Sequence, residues 1–184
     1  MAFNLDTFRR EMADGGARPS LFDMQLAWPA TVASGANLGP TSRFFVRATT
    51  IPAATLGTVT VGYQGRKLKY AGDRTYEDLT ITVLNDEGFR LRRAFEAWSN
   101  QIAGLGAQLN SSLLGQPLLS GGISTDLTLR QYARAGFVAR EYTIKGAWPT
   151  SIGTISLDWD TNDTVETYDV TFAYQWFETT PATA

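Results

Sequence analysis

Residues 76–103 read YEDLTITVLNDEGFRLRRAFEAWSNQIA, and two different hydrophobic periods meet within this stretch. In its first part, Leu79, Ile81 and Val83 alternate with polar residues, which is the pattern of a half-buried β-strand. In its second part, apolar residues recur every three or four positions, which predicts an amphipathic helix over roughly residues 87–103. The sequence therefore predicts a strand that leads directly into a helix.

Alternation with a period of two recurs along the rest of the chain, whereas a second helix of comparable quality is not apparent. The sequence therefore predicts a mostly β fold, a β-sandwich or open barrel of about eight or nine strands with one flanking α-helix. The predicted strands cover residues 21–28, 43–49, 56–63, 66–70, 76–84, 126–130, 138–147, 152–157 and 169–176.

Two turns are expected on either side of residues 66–70. Gln64-Gly65 separates two strand-like segments, and Gly65 suits a hairpin turn because glycine adopts a positive φ without steric cost. The residues 71–74, Ala-Gly-Asp-Arg, predict a second turn before the strand at Tyr76.

The domain organisation is expected to be simple, because 184 residues suffice for one domain with its own core. Residues 1–19 form an N-terminal arm, residues 20–178 a single β domain, and residues 179–184 a C-terminal tail. A flexible stretch is expected at about residues 104–122. The sequence shows no signal peptide and no apolar run long enough to span a bilayer, so membrane insertion is not expected.

Composition excludes several classes of function. The chain has no cysteine and no histidine, which removes thiol and imidazole catalysis and most transition-metal sites. We therefore expect no enzyme activity, no metal and no cofactor. The formal net charge is −2, and there is no basic run of the kind that binds nucleic acid electrostatically.

Two alternatives rest on particular residues. Carboxylate chemistry would need a positioned pair such as Asp158 with Asp160, or Asp163 with Glu166, but Asp and Asn are also favoured in turns for backbone reasons. A β-sandwich that binds ligands or carbohydrates is the main alternative of another class. Its sugar-stacking candidates are three tryptophans, Trp148, Trp159 and Trp176.

The order of the motifs resembles a known family. A Gly-Asp-Arg turn precedes the strand and helix of residues 76–103, the segment Gly146-Ala-Trp-Pro149 follows, and the terminal strand contains Glu166-Thr-Tyr-Asp-Val-Thr-Phe172. From about residue 20 to 178 this order is similar to the tail tube proteins of contractile-tailed bacteriophages, which are related to the tube proteins of type VI secretion systems.

The resemblance implies an architecture and a set of partners. Six copies would form a ring, and rings would stack into a hollow tube inside a contractile sheath, with baseplate and tail terminator proteins at the ends. DNA would pass through the lumen without specific binding. The protein would belong to the virion tail and assemble in the host cytoplasm. A tube of a type VI or extracellular contractile injection system is the alternative within the family.

Candidate residues for the two kinds of assembly surface follow from this resemblance. Short polar side chains on the predicted strands face either the lumen or ordinary solvent; these are Asp78, Thr80, Thr82, Asp126 and Thr128. The arm, with Phe3, Leu5 and Phe8, and the predicted hairpin turn, with Gln64 and Gly65, serve either in ring stacking or as a plain terminus and a plain turn.

Overall fold

Nine strands and three α-helices make up the fold in the computed structural model, which describes residues 4–12, 15–35, 37–103 and 123–181. The helices are α1 (Leu5–Glu11), α2 (Gly39–Phe45) and α3 (Arg90–Ala103). The strands are β1 (Phe22–Gln25), β2 (Val46–Thr49), β3 (Ala54–Tyr63), β4 (Arg66–Tyr76), β5 (Leu79–Leu84), β6 (Thr125–Tyr132), β7 (Val138–Ile152), β8 (Thr167–Ala173) and β9 (Trp176–Pro181).

Seven of these strands form two antiparallel sheets that share β7. Sheet A has the order β1-β6-β7-β9, and sheet B has the order β2-β5-β8-β7. The amino-terminal part of β7 pairs with β6 and β9, and its last residues, Trp148–Ile152, pair with β8. The remaining strands, β3 and β4, pair only with each other among the described residues.

One core lies between the inner faces of the two sheets. Sheet A contributes Leu127, Leu129 and Ile144, and alternate residues of β5 and β8 enter from sheet B. The alternation read in residues 79–84 is confirmed, because Leu79, Ile81 and Val83 are buried and the intervening residues are not.

The helix α3 closes this core on one side. Phe95 and Trp98 are fully buried, and each packs against Trp28 and Phe172 with ring centroids 4.9–6.1 Å apart. The Trp98 indole also donates a hydrogen bond to the carbonyl of Ile123. The predicted flanking helix is therefore confirmed; it begins at Arg90, where the Asp86 carboxylate accepts a hydrogen bond from the Arg90 amide at 3.0 Å.

Some predicted boundaries were wrong. Residues 71–74 form no turn, since β4 continues through them to Tyr76. Residues 39–45 form α2, so only the second half of the strand predicted at 43–49 exists. β7 runs past Ala147 to Ile152, and residues 153–157 are not a strand.

The C-terminal strand is split at Tyr174–Gln175. β8 belongs to sheet B, and β9 belongs to sheet A and pairs with β7 as far as Pro181. The last strand thus extends three residues into the stretch expected as a tail. The expected arm contains α1, whereas Phe3 and the stretch 104–122 lie outside the described residues.

Candidate assembly surfaces

A long ribbon made of β3 and β4 projects from the domain with its side chains uncovered. All ten residues of β3 are exposed, and in the described part of the chain no other strand pairs with either edge. Ten residues of strand span about 33 Å. A two-stranded hairpin is only marginally stable alone in water, and an open strand edge invites another chain. The ribbon therefore has the properties of an unfilled interface.

The two faces of the ribbon differ in chemistry. Cross-strand register places Val59 opposite Tyr70 and Val61 opposite Leu68 on one face. These four side chains are between 48% and 56% exposed, and with Tyr63 they form a continuous stripe that we call the apolar face. The opposite face carries threonines and lysines. A strand pair with one apolar face normally buries that face against another layer of protein.

A glycine pair interrupts the ribbon near its base. The register shifts between Leu56 and Thr58, so that Gly57 lies opposite two residues of β4 instead of one. A Cβ atom on Gly72 would lie only 3.0 Å from the Gly57 carbonyl carbon. This β-bulge explains why the segment read as a turn in the sequence is instead a continuous, locally bent strand.

The ribbon ends in a two-residue turn at Gln64-Gly65, where the hairpin was predicted. Both residues have positive φ values, 44° at Gln64 and 81° at Gly65, as the tight turns of β-hairpins require. The turn itself is confirmed, and the stacking role expected for these two residues stays a prediction.

The short helix α1 also leaves its apolar residues uncovered. Leu5 and Phe8 are 62% and 58% exposed, and Met12 continues the same helical stripe. No residue of this seven-residue helix is buried. A helix this short gains little stability from its own hydrogen bonds and would be stabilised by packing. Its apolar stripe is therefore a second candidate contact surface for another chain.

The outer face of sheet B is rich in threonine. Thr80 lies opposite Thr171, with the two hydroxyl oxygens 3.3 Å apart, and Thr82 donates a 2.6 Å hydrogen bond to Asp169. Asp78 lies just before β5 and is exposed. Three of the five predicted lumen-facing residues therefore lie on or beside one smooth, weakly acidic surface.

The outer face of sheet A is a network of paired charges. Asp126 accepts a hydrogen bond from Lys145 at 2.8 Å, and Arg130 pairs with Glu141 at 2.6 Å. The hydrogen bond that Lys145 donates to Asp126 raises the pKa of Lys145. Thr128 lies on the same strand as Asp126. Because both sheets cover one core, these two predicted residues and Thr80 with Thr82 lie on different sides of the domain.

A further exposed segment, residues 154–166, joins β7 to β8, and we call it the acidic loop. It contains Asp158, Asp160, Asp163 and Glu166 and no lysine or arginine. Trp159 is 98% exposed, and Leu157 and Val165 are also largely exposed. The sequence identified Trp159 only as a sugar-stacking candidate, because alternation cannot reveal whether a loop side chain is covered.

Two other features, a metal-binding cluster and a membrane-spanning helix, are absent from the described residues. No group of three or more acidic side chains lies close enough together to hold a metal ion in residues 4–12, 15–35, 37–103 and 123–181. Over the same ranges, each helix is too short or too polar to cross a membrane.

Sequence comparison places this arrangement in a family. A sequence model of the phage tail tube protein matches residues 17–180. The chain belongs to the phage tail tube protein family. It is 37% identical over 163 residues to the tail tube protein gp19 of Enterobacteria phage T4, covering 88% of this chain and 91% of that protein. The tail tube protein of Serratia phage KSP90 is 26% identical over 172 residues, covering 92% and 93%.

Solved structures share the fold of this tail tube protein. The tube-terminating cap of the anti-feeding prophage superimposes with a TM-score of 0.64 at 17% identity, covering 91% of this chain and 92% of that one. A chain of the sheath-tube complex of an extracellular contractile injection system, PVC, gives a TM-score of 0.58 at 12% identity, covering 98% and 99%. The resemblance inferred from the motifs is confirmed, and the chain is a structural tail component.

Proposed function

We propose that six copies of this chain form a ring and that rings stack into the hollow inner tube of a contractile phage tail. The observation that carries the proposal is the uncovered apolar face of the ribbon in a member of the tail tube family. That face is exposed in one copy, and a second copy would cover it in the ring or tube.

Open strand edges support ring closure. In the described part of the chain, β1 and β9 each pair on one side in sheet A, and β2 pairs on one side in sheet B. Their free backbone groups are satisfied when neighbouring subunits join edges into one continuous barrel. In a closed ring of six copies, each junction would pair an edge strand of one copy with an edge strand of the next.

We assign the lumen to the outer face of sheet B. Thr80, Thr82 and Asp78 then face the channel, where short neutral or acidic side chains let DNA slide without binding it. Asp126 and Thr128 then lie on another side of the tube wall. The converse arrangement, with sheet A inside, would place Arg130 and Lys145 beside the DNA, paired with Glu141 and Asp126.

Two surfaces serve ring stacking in this proposal. One is the ribbon with its turn at Gln64 and Gly65, and the other is the arm, with Leu5 and Phe8 on α1 and Phe3 preceding them. The tube lies inside a sheath, ends on baseplate and terminator proteins, assembles in the host cytoplasm and belongs to the virion tail.

The proposed role requires no catalysis, cofactor or metal. Family membership favours the tube over a carbohydrate-binding module. The fold alone is compatible with the tube of an extracellular injection system, and sheath, capsid and DNA-packaging genes beside this one distinguish a phage from such a system.

The experiment is assembly of the purified chain. Light scattering coupled to size-exclusion chromatography should give a species of six subunits, and negative-stain microscopy at high concentration should show six-fold rings and tubes. A protein that stays monomeric at high concentration and binds a glycan would refute the proposal.

A further inference from the structure

The ribbon and the acidic loop lie at opposite ends of sheet B. The ribbon joins β5 at Leu79, which is opposite Phe172, whereas the loop joins β8 at Thr167, which is opposite Leu84. The Asn85 amide donates a hydrogen bond to the carbonyl of Glu166, which anchors the loop at that far end. Copies placed end to end therefore bring the ribbon of one towards the loop of the next.

The two segments carry opposite charge. The ribbon has four basic residues and one acidic residue, and all are exposed: Arg66, Lys67, Lys69, Arg74 and Asp73. The chain has no lysine or arginine after Lys145. Every charged side chain after Lys145 is therefore acidic, and the acidic loop contains most of them.

Several charged side chains of the two segments form no ion pair with the described residues of the same copy. Among the described residues, none of the ion pairs involves the ribbon, Asp160 or Asp163. By contrast, Glu166 accepts a 2.7 Å hydrogen bond from Asn85, and Asp158 accepts one from the Asp160 amide within the loop. Asp160 and Asp163 thus keep their carboxylates for another chain.

Apolar surface is also matched between the two segments. The apolar face of the ribbon ends at Tyr63 and Arg66, which lie opposite each other at the tip. In the acidic loop, Trp159 and Leu157 stand out from the domain and are among its most exposed apolar side chains. The other apolar stripe described above, on α1, carries Arg9 and Arg10 together with Asp6 and Glu11, so it lacks the excess negative charge that the acidic loop offers to the basic ribbon.

We propose that the ribbon of each copy docks its apolar face on the acidic loop of a copy in the next ring. Trp159 covers the stripe of Val61 and Leu68, and Arg66 at the ribbon tip pairs with Asp160 or Asp163. The contact is heterologous, so it repeats without limit along a filament. This inference rests on the proposed function and names the surface on which the ribbon binds.

Charge reversal with rescue tests the pairing. Arg66→Glu should yield single rings and at least a tenfold higher protein concentration for tube formation, measured by sedimentation. Asp160→Lys with Asp163→Lys should do the same. An equimolar mixture should restore tubes in which rings of the two variants alternate, because every ribbon then faces a loop of opposite charge. One chain that combines all the substitutions should also restore tubes.

The control is Arg134→Glu with Arg140→Glu, two exposed reversals away from both segments, which should leave the concentration unchanged. Failure of the chain that combines all the substitutions to assemble better than either parent variant would overturn the docking. Loop variants that form normal tubes but no longer recruit the sheath protein would also overturn it, since the loop would then face the sheath. Absence of rings and tubes from the unaltered protein would instead refute the proposed function.

Cysteine cross-linking gives an independent readout, because the natural chain has no cysteine. A chain with both Gln64→Cys and Trp159→Cys should oxidise into a ladder that exceeds six subunits on a denaturing gel. Each single variant should give at most dimers. A ladder that ends at six subunits would place the contact within one ring and would refute the assignment to successive rings.

Discussion

Replacing Val59 and Val61 by threonine should impair tube assembly while leaving the folded subunit intact. Threonine keeps the β-branched shape, so the ribbon retains its strand propensity. Each exchange replaces a methyl group, worth about 0.8 kcal/mol on burial, by a hydroxyl whose desolvation costs about 1 kcal/mol. The valines are 54% and 48% exposed, so roughly half of this change, about 1 kcal/mol each, is felt on assembly.

Together the two substitutions should weaken each stacking contact by about 2 kcal/mol, which corresponds to roughly a 30-fold higher concentration for tube formation. Sedimentation of tubes over a concentration series measures this quantity. The melting temperature of isolated rings should change little, because the ribbon lies outside the core. Val83→Thr is the matched control: the same chemical change at a fully buried position should lower the melting temperature. Unchanged assembly of the Val59 and Val61 double variant would refute the burial of the apolar face.

Three further outcomes are expected. Gly72→Ala should hinder tube formation, because its Cβ would approach the carbonyl carbon of Gly57 to 3.0 Å, whereas Gly62→Ala, with open space around it, should assemble normally in the same sedimentation assay. Phe95→Ala should lower the free energy of unfolding by about 3–5 kcal/mol in urea titrations, since the ring is fully buried; a loss below 1 kcal/mol would contradict the packing of α3. Burial raises the pKa of Tyr168 well above its ordinary value of 10.0, so the unfolded chain ionises this phenol first and stability should fall as pH rises above about 10. Tyr168→Phe should flatten that dependence in melts at pH 9 to 11, and because the hydroxyl has no hydrogen-bond partner in the described part of the chain, the variant should keep its stability at pH 7.

The sequence predicted the parts of the fold that a local period encodes. The inward side chains of β5, the stripe of α3 and the turn at Gly65 all follow from spacing or from the conformational freedom of glycine. The boundaries that were wrong depend on pairing between distant strands. Pro149 looked like a strand end, yet it is tolerated because the register between β7 and β8 shifts beside it. The alternation around Tyr174 continues while the chain passes from sheet B to sheet A.

The candidate site was predicted only in outline, for a related reason. Alternation in β3 shows which residues share a face. Whether another layer of the protein covers that face depends on distant parts of the chain, which alternation does not encode. The exposure of Trp159 likewise depends on where β7 and β8 end. The distribution of charge along the sequence was also informative. No basic residue follows Lys145, which makes the C-terminal segment a complement for a basic surface.

The sharing of β7 between both sheets has a mechanical consequence. A strand of fifteen residues crosses from one sheet to the other without a break in the covalent backbone. A force applied to sheet A is therefore transmitted to sheet B through the covalent main chain of β7. To separate the sheets, the rows of hydrogen bonds that β7 makes with its neighbouring strands would have to break at the same time. A wall built from such subunits would therefore resist being torn between its layers.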